Sequence, residues 1–265
     1  MDSKRSISIH LEDDKKVYFA SDQHLGAPTD EESAKREKIF VKWLNDIQPD
    51  CGALFLLGDL FDFWFEYKEV VPRGFVRTLG KLAQFADQGI PIYFFTGNHD
   101  LWMTDYLEKE IGVQLFKKPH TFIINDQKFF IGHGDGLGPG DLGYKRMKKV
   151  FTHPIAKKLF YLLHPDIAVW LGKTASRRNK YISGDDDVHF LGEDKEWLVH
   201  YCKRKLEENN YDYFIFGHRH LPLDIRLNEE SRYVNLGDWI SYFTYASYNG
   251  KELKLLESDI IKETR

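Results

Sequence analysis

The chain is poor in cysteine. Cys51 and Cys202 stand far apart, without the paired spacing of a thiolate metal site, and two reduced thiols in a reducing compartment are expected. No apolar run approaches the ~20 residues that a membrane span needs. The most apolar stretch, Lys157 to Gly172, is interrupted by His164, Pro165 and Asp166. The opening residues, Met1 to Lys16, are polar and charged with no apolar h-region, so the reading is a cytoplasmic protein without a secretory signal. A positive excess is missing as well. Lys and Arg number 37 against 41 Asp and Glu, a net charge of -4, which argues against a general nucleic-acid binder. Internal repeats and low-complexity segments are absent.

What remains is ordinary globular composition, 42% hydrophobic and 29% charged, over 265 residues, enough for a single domain with a sizeable core. Short apolar runs at Val17 to Ala20, Ala53 to Leu57, Pro91 to Thr96, Lys128 to Ile131 and Tyr213 to Phe216 predict buried strands. Between them, apolar residues at helical spacing predict helices from about Asp30 to Ile47, with Thr29 or Asp30 as cap, and from about Gly74 to Gln88. A further helix is expected from about Glu193 to Glu208. Near the end, Trp239 to Tyr248, Asn249-Gly250 and Lys251 to Glu257 predict a hairpin with a type I′ turn. Strand-helix alternation followed by a hairpin indicates an α/β fold with a mixed sheet or two packed sheets.

Each of the five strands ends in a polar cluster: Asp22 and His24; Asp59 and Asp62; Asn98, His99 and Asp100; His133 and Asp135; His218 and His220. Functional groups in α/β sheets gather beyond the carboxyl ends of strands. On an extended segment, residues i and i+2 project to one side, so Asp22 and His24 are expected to reach one ion together. Any one of these clusters alone reads as a polar turn; five in order, each after a strand, point to metal. Carboxylate, amide oxygen and imidazole without thiolate suit manganese, iron or zinc, whereas calcium prefers oxygen alone. The ligands are too many for one tetrahedral ion and suit two ions sharing a carboxylate.

D-x-H, GDxxD, GNHD, a histidine after a strand and GHxH, in this order from Asp22 to His220, resemble the calcineurin-like metallophosphoesterases. The resemblance implies two mixed β-sheets packed as a sandwich flanked by helices. It implies one cation held by Asp22, His24, Asp59 and His220, and another by Asp59, Asn98, His133 and His218. His99 would be a non-ligand catalytic histidine, with Asp62 orienting and charging it. Manganese is the expected metal, iron and zinc the alternatives.

Within that superfamily, GDLFDFW (Gly58 to Trp64), HGDGLGPGDLGYK (His133 to Lys145) and LGDW (Leu236 to Trp239) look most like the UDP-2,3-diacylglucosamine hydrolases of lipid A biosynthesis. Those enzymes cleave a pyrophosphate to release UMP and a diacylated sugar phosphate. The chain departs from well-known members of that family at two positions: His99 stands where those carry arginine, and Asp62 where those carry glutamate. The resemblance also implies substrate contacts from Asn98, His99, Asp141, Tyr144, Lys173 and Ser176. Another calcineurin-like phosphoesterase, acting on a nucleotide or phosphoprotein, is the alternative. A scaffold without turnover is disfavoured by the intact ligand set.

The expected layout is one domain, 1–265, with an inserted helical lid at 141–187. From Leu142 to Ser183 the only acidic residue is Asp166, among many lysines and arginines and large apolar side chains. Pro154 and Pro165 fit helix first turns, so two or three short helices are expected. Such a segment either packs its apolar face on the core, or holds acyl chains and meets an anionic membrane surface on the cytoplasmic face of the inner membrane. Asp185, Asp186 and Asp187 read as a solvated loop.

Overall fold

The computed structural model describes residues 6–138, 142–182 and 190–261. Five predicted strands are present: β2 (Lys16–Ala20), β3 (Cys51–Leu56), β4 (Ile92–Phe95), β7 (Gln127–Ile131) and β8 (Tyr213–Phe216). Between β2, β3 and β4 lie α1 (Asp30–Ile47) and α2 (Val76–Asp87), the crossovers that make these strands parallel. The Thr29 side chain accepts the Glu32 N–H, as expected of the cap. A short helix, α3 (Tyr106–Ile111), leads to β5 (Gln114–Phe116), parallel to β4.

On the other side of β2 run β11 (Thr244–Tyr248) and β12 (Leu253–Glu257), both antiparallel to their neighbours, giving the sheet order β12-β11-β2-β3-β4-β5. The second sheet adds β1 (Ile7–Ile9), β6 (His120–Ile124), β9 (Pro222–Arg226) and β10 (Arg232–Leu236), in the order β1-β6-β7-β8-β10-β9. Both sheets are mixed, as expected.

The two sheets face each other through alternate residues. Val17, Phe19, Phe55 and Phe95 from one meet Phe122, Phe129, Ile131 and Ile215 from the other in one buried cluster. The opposite face of the first sheet, with Tyr18, Leu54 and Leu56, packs on Phe40, Trp43 and Leu44 of α1 and on Leu82 and Phe85 of α2. Behind the second sheet, Leu198, Val199 and Cys202 of α7 (Trp197–Glu208) cover Phe214 and Phe216. Covering on both faces explains why these strands read as continuous apolar runs rather than alternating ones.

Two expectations need correction. The helix from Glu193 is a 3₁₀ turn, Glu193–Lys195, then α7; Glu196 between them is extended at φ -83° and ψ 100°. The hairpin lacks a type I′ turn. Tyr248 pairs with Leu253, and of Asn249 and Gly250 only Gly250 has positive φ. The Asn249 carboxamide oxygen instead accepts N–H bonds from Lys251 and Glu252, at 3.0 and 2.9 Å, so its side chain shapes a longer loop.

Among the described residues three α-helices lie between β7 and α7: α4 (Leu142–Phe151), α5 (Pro154–Tyr161) and α6 (Pro165–Ile182). The prolines do open helices, but α6 runs for 18 residues and is not short. The segment is docked through aromatic rings. Phe160 lies 4.6 Å from Trp102 and 4.8 Å from Phe65 by ring centroids, and Trp102 Nε1 donates to the Phe151 carbonyl at 2.8 Å. Gly172 sits against the Phe63 ring with no room for a Cβ. Other apolar side chains face outward. Ile155, Leu159, Leu162 and Trp170 are 64%, 62%, 73% and 63% exposed, so only part of the apolar surface packs on the core.

Glu37 ties α1 to α2. Phe75, the residue before α2, offers no side-chain cap, and Glu37 Oε1 accepts the N–H groups of Arg77 and Thr78, each at 3.1 Å. Glu37→Ala is expected to lower unfolding stability by about 1–2 kcal/mol, the usual cost of a lost cap. Urea denaturation measures this; an unchanged midpoint contradicts the assigned role.

Candidate metal centre

Past their last paired residues, β2, β3, β4, β7 and β8 release the chain at one edge, where the five clusters meet. The loops after β2 and β3 stay bonded: Asp22 N–H donates to Gly58 O at 3.0 Å and His24 N–H to Asp59 O at 2.9 Å. The backbone there is not extended. Among the described residues nine non-glycines have positive φ, and Asp22, His24, Asp59, His218 and His220 are five of them, between +46° and +69°. The side chains thus converge through left-handed turns, not through i, i+2 alternation. Strain of ~1–3 kcal/mol per residue in such conformations persists only where the surroundings fix it, typically at functional sites. Gly58, at φ +90°, allows a close approach: a Cβ there would lie 2.6 Å from both Gly97 N and His133 Nδ1.

Outer partners set the ring orientations. His133 Nδ1 donates to the Leu57 carbonyl at 2.6 Å, leaving Nε2 facing Asn98 Oδ1 at 3.1 Å and Asp59 Oδ2 at 3.4 Å. His24 Nδ1 is 3.1 Å from Asp62 Oδ1, and His220 Nδ1 is 3.3 Å from Asp238 Oδ2. The other nitrogens of these two rings, His24 Nε2 and His220 Nε2, then face each other at 3.2 Å. A ligating histidine ordinarily shows this pattern, one nitrogen held by an outer acceptor and the other aimed inward. Three groups result: Asp22, His24 and His220; Asp59, His133 and His218; and His24, Asp59 and His99. In each, ligand atoms lie within 4.8 Å of one another. Asp59 joins the last two groups, and its Oδ2 stands 3.7 Å from His24 Nε2.

The residues fit divalent cations. Asp22 Oδ1 is fully buried without a hydrogen-bond partner, a costly arrangement that a cation would relieve. The inward nitrogens of His24 and His220 cannot both hold protons at their separation, and a cation would resolve that as well. The oxygen and nitrogen donors suit manganese, iron or zinc. Asp22, His24 and Asp59 are buried, whereas Asn98, His99, His218 and His220 are partly exposed, so the site opens on that side.

Buried charge sets the proton affinities of the protein groups. Burial alone would raise the Asp22 and Asp59 carboxyls, but neighbouring imidazoles hold both below the ordinary range. Burial would lower His133; the Asp59 carboxylate outweighs it and pushes the ring up to about 10. His218 is held down to about 4, by burial and by the His133 charge. Burial, with the Asp59 charge, pushes Asp100 up to about 7.

Asp62 reaches His99 mainly through its backbone. His99 Nδ1 is 2.9 Å from Asp62 O, whereas the nearer carboxylate oxygen lies 3.7 Å away. That carboxylate bonds His24 and, at 2.7 Å, the Ser176 hydroxyl, which also stands 3.0 Å from His99 Nδ1. Burial, the largest influence, lowers His99 and favours its neutral form, a departure from the expectation that Asp62 charges it. Ser176, from α6, is thus brought into the site. Lys173, one turn earlier on α6, has its Nζ 3.9 Å from Asp30 Oδ1. Asp141 and Asp185 to Asp187 lie outside the described residues, and Tyr144 is placed only as part of α4.

Three further residues have roles that the sequence did not reveal. Asp238 holds His220; the LGDW stretch contained it, but nothing local marked its partner. Asp100 joins two loops, accepting from Gly97 N–H at 2.6 Å and Leu60 N–H at 3.1 Å. Arg36 donates to the carbonyls of Gln23, His24 and Ala27 at 3.2, 2.9 and 2.9 Å, and so braces the loop that carries His24. Arg36 falls on the buried face of α1 with Phe40 and Trp43, so a charge at an apolar helical position was the available signal.

Two divalent cations per chain are expected, and Asp59→Ala is expected to reduce binding at both positions. Elemental analysis of protein purified without added metal, followed by manganese titration, measures both. Tight binding of a single cation by the unaltered protein overturns the two-cation assignment.

The sequence profile of the calcineurin-like phosphoesterases matches residues 15–222. A UDP-2,3-diacylglucosamine hydrolase of Porphyromonas gingivalis is 36% identical over 252 residues, spanning 91% of this chain and 96% of that protein. Another of that name, from Haemophilus influenzae Rd, is 29% identical over 226 residues, spanning 85% of this chain and 91% of that protein. A third, from Pseudomonas fluorescens, is 25% identical, spanning 84% and 87%. The ordered ligand motifs, the two-sheet scaffold that gathers them at one edge and a match over most of the chain place this protein in the calcineurin-like phosphoesterase family, as a metal-dependent hydrolase.

Proposed function

We propose that the chain hydrolyses the pyrophosphate of UDP-2,3-diacylglucosamine to UMP and 2,3-diacylglucosamine 1-phosphate. The observation that carries this reading is the near full-length similarity to a hydrolase of that name, 36% identical. The insert supports it, because α6 reaches the site through Ser176 while α5 and α6 present apolar side chains outward.

In this reading Asp22, His24, Asp59 and His220 hold one cation, and Asp59, Asn98, His133 and His218 the other. Manganese is the proposed metal. Bound divalent cations supply an acidified water and offset the phosphoryl charge. The water oxygen joins one phosphorus, the bridging P–O bond breaks, and the departing oxygen takes a proton. His99 lies outside both ligand sets. With Nδ1 engaged by Asp62 O and Ser176, its Nε2 is the atom that handles the leaving-group proton.

The insert holds the acyl chains, and its exposed apolar side chains and lysines meet the anionic cytoplasmic face of the inner membrane. Among the described residues no helix is long and apolar enough to cross a membrane, so attachment is peripheral in this reading. Each buried methylene contributes ~0.8 kcal/mol, so two long chains can supply much of the substrate affinity.

The direct test is UMP release from UDP-2,3-diacylglucosamine with manganese. Replacing Leu159, Leu162 and Trp170 together by Glu is expected to raise KM for the long-chain substrate far more than for a short-chain analogue. Indifference of the unaltered protein to acyl length contradicts the lipid reading and favours a soluble phosphate ester. His99→Ala is expected to keep the metal content and lower turnover by ~10²–10⁴. Loss of one cation, with normal turnover on resupply, would instead make His99 a ligand.

A further inference from the structure

Between His218 and His220 stands Arg219, a side chain that the chemistry above does not use. It is only 8% exposed, and its Nε donates to both carboxylate oxygens of Glu196, at 3.2 and 3.0 Å. Glu196 is 3% exposed and immediately precedes α7. The next residue, Trp197, sets its ring against His218, 6.0 Å between centroids at 73°. The start of α7 therefore meets the histidine turn at two adjacent points.

That turn is strained. Arg219 N–H donates to Gly217 O at 2.8 Å, closing a three-residue turn around His218 at φ +69°, the rare form of the γ-turn. His220 follows at φ +53°. The turn also serves both ligand groups. His218 belongs with Asp59 and His133, and His220 with Asp22 and His24. A small rotation of this one turn would spoil both. A relaxed turn would remove the local strain, so something outside it must hold the conformation. Asp22 Oδ2, accepting His218 N–H at 2.9 Å, holds the front, and Asp238 holds the far ring.

We propose that Arg219 and Glu196 are positioning residues that brace this turn from behind and so set the geometry of both cation positions. The proposal rests on the reading of the clusters as cation sites. Glu196 is suited to the role by its place at a helix N-terminus, where a carboxylate is favoured. A planar guanidinium held through its Nε gives a directional tie that an ammonium cannot reproduce.

The test separates bracing from stability. Metal-free protein is titrated with manganese chloride by calorimetry, and its melting temperature is recorded without metal. The variants are Glu196→Gln, Arg219→Met, Arg219→Lys and the double variant Glu196→Leu with Arg219→Met. Removing one partner strands a buried group, whereas removing both avoids that penalty. The single variants Glu196→Gln and Arg219→Met are expected to bind manganese at least tenfold more weakly. The double variant is expected to regain melting temperature but not manganese affinity, and Arg219→Lys to recover affinity only in part. Unchanged affinity in the single variants, or affinity that returns with stability in the double variant, overturns the proposal. Should the single variants fail to fold, the double variant decides: wild-type affinity overturns the proposal and weakened affinity supports it. Absence of manganese binding by the unaltered protein overturns the cation sites themselves, and the proposal with them.

Discussion

Buried carboxylates surrounded by imidazoles are the constraint around which this protein is organised. Asp22 and Asp59 have almost no exposure, and isolated ionised carboxylates at that depth would be prohibitive. Their charge is offset by rings that approach from other strand ends: His133 at 3.4 Å from Asp59, and His220 at 3.4 Å from Asp22. No single element can provide this. The parallel strands β2, β3 and β4 bring the acids and the amide, and β7 and β8 bring histidines from the second sheet. The sandwich core, with Phe19, Phe55 and Phe129 at its centre, keeps the two strand edges in register so that the charges meet. The left-handed backbone at five candidate ligand positions is the local cost of that convergence.

Around the central groups lies a wider set of fixed dipoles and charges. Leu57 O, Asp62 and Asp238 each take one nitrogen of a histidine, so the other nitrogen is committed inward. Arg36 gathers three carbonyls of the loop bearing His24, and Asp100 joins the loops after β3 and β4. These groups come from α1, from the loops after β3 and β10 and from the GNHD turn. Helices and loops distant in sequence therefore take part in the site, although the chemistry is concentrated at strand ends.

This division explains what was legible. Strands buried on both faces are continuous apolar runs, and polar residues placed directly after them stand out, so the five clusters and their shared edge could be read from local pattern. Pairings across the fold could not. Asp238 and His220 stand close in sequence, yet their contact depends on the turn after β10. The short strands β1 and β5 have only three residues each and no pattern above background. Asp22 and His24 meet through left-handed turns rather than i, i+2 alternation; ordinary sterics disfavour such backbone at Asp and His, and only the tertiary context selects it. At Asn249 a side-chain turn displaced the backbone turn that Asn-Gly favours, for the same reason: a local preference is one term among several.

The insert is joined to the scaffold and to the site by aromatic packing and one hydroxyl. Its aromatic residues, Phe151 and Phe160, bind it to Trp102 and Phe65 on loops that follow β4 and β3, the same strands that deliver Asn98 and Asp59. Ser176 then places α6 on the Asp62 carboxylate, which also holds His24. A displacement of α6 therefore changes the hydrogen bonding of a residue that orients a candidate ligand and contacts His99. The coupling is short and direct, one hydroxyl between a helix with an exposed apolar face and the outer partner of a candidate ligand ring. In the proposed lipid reading, contacts made on that face pass to His24 and His99 through Ser176 and Asp62, which ties recognition to cleavage through one carboxylate.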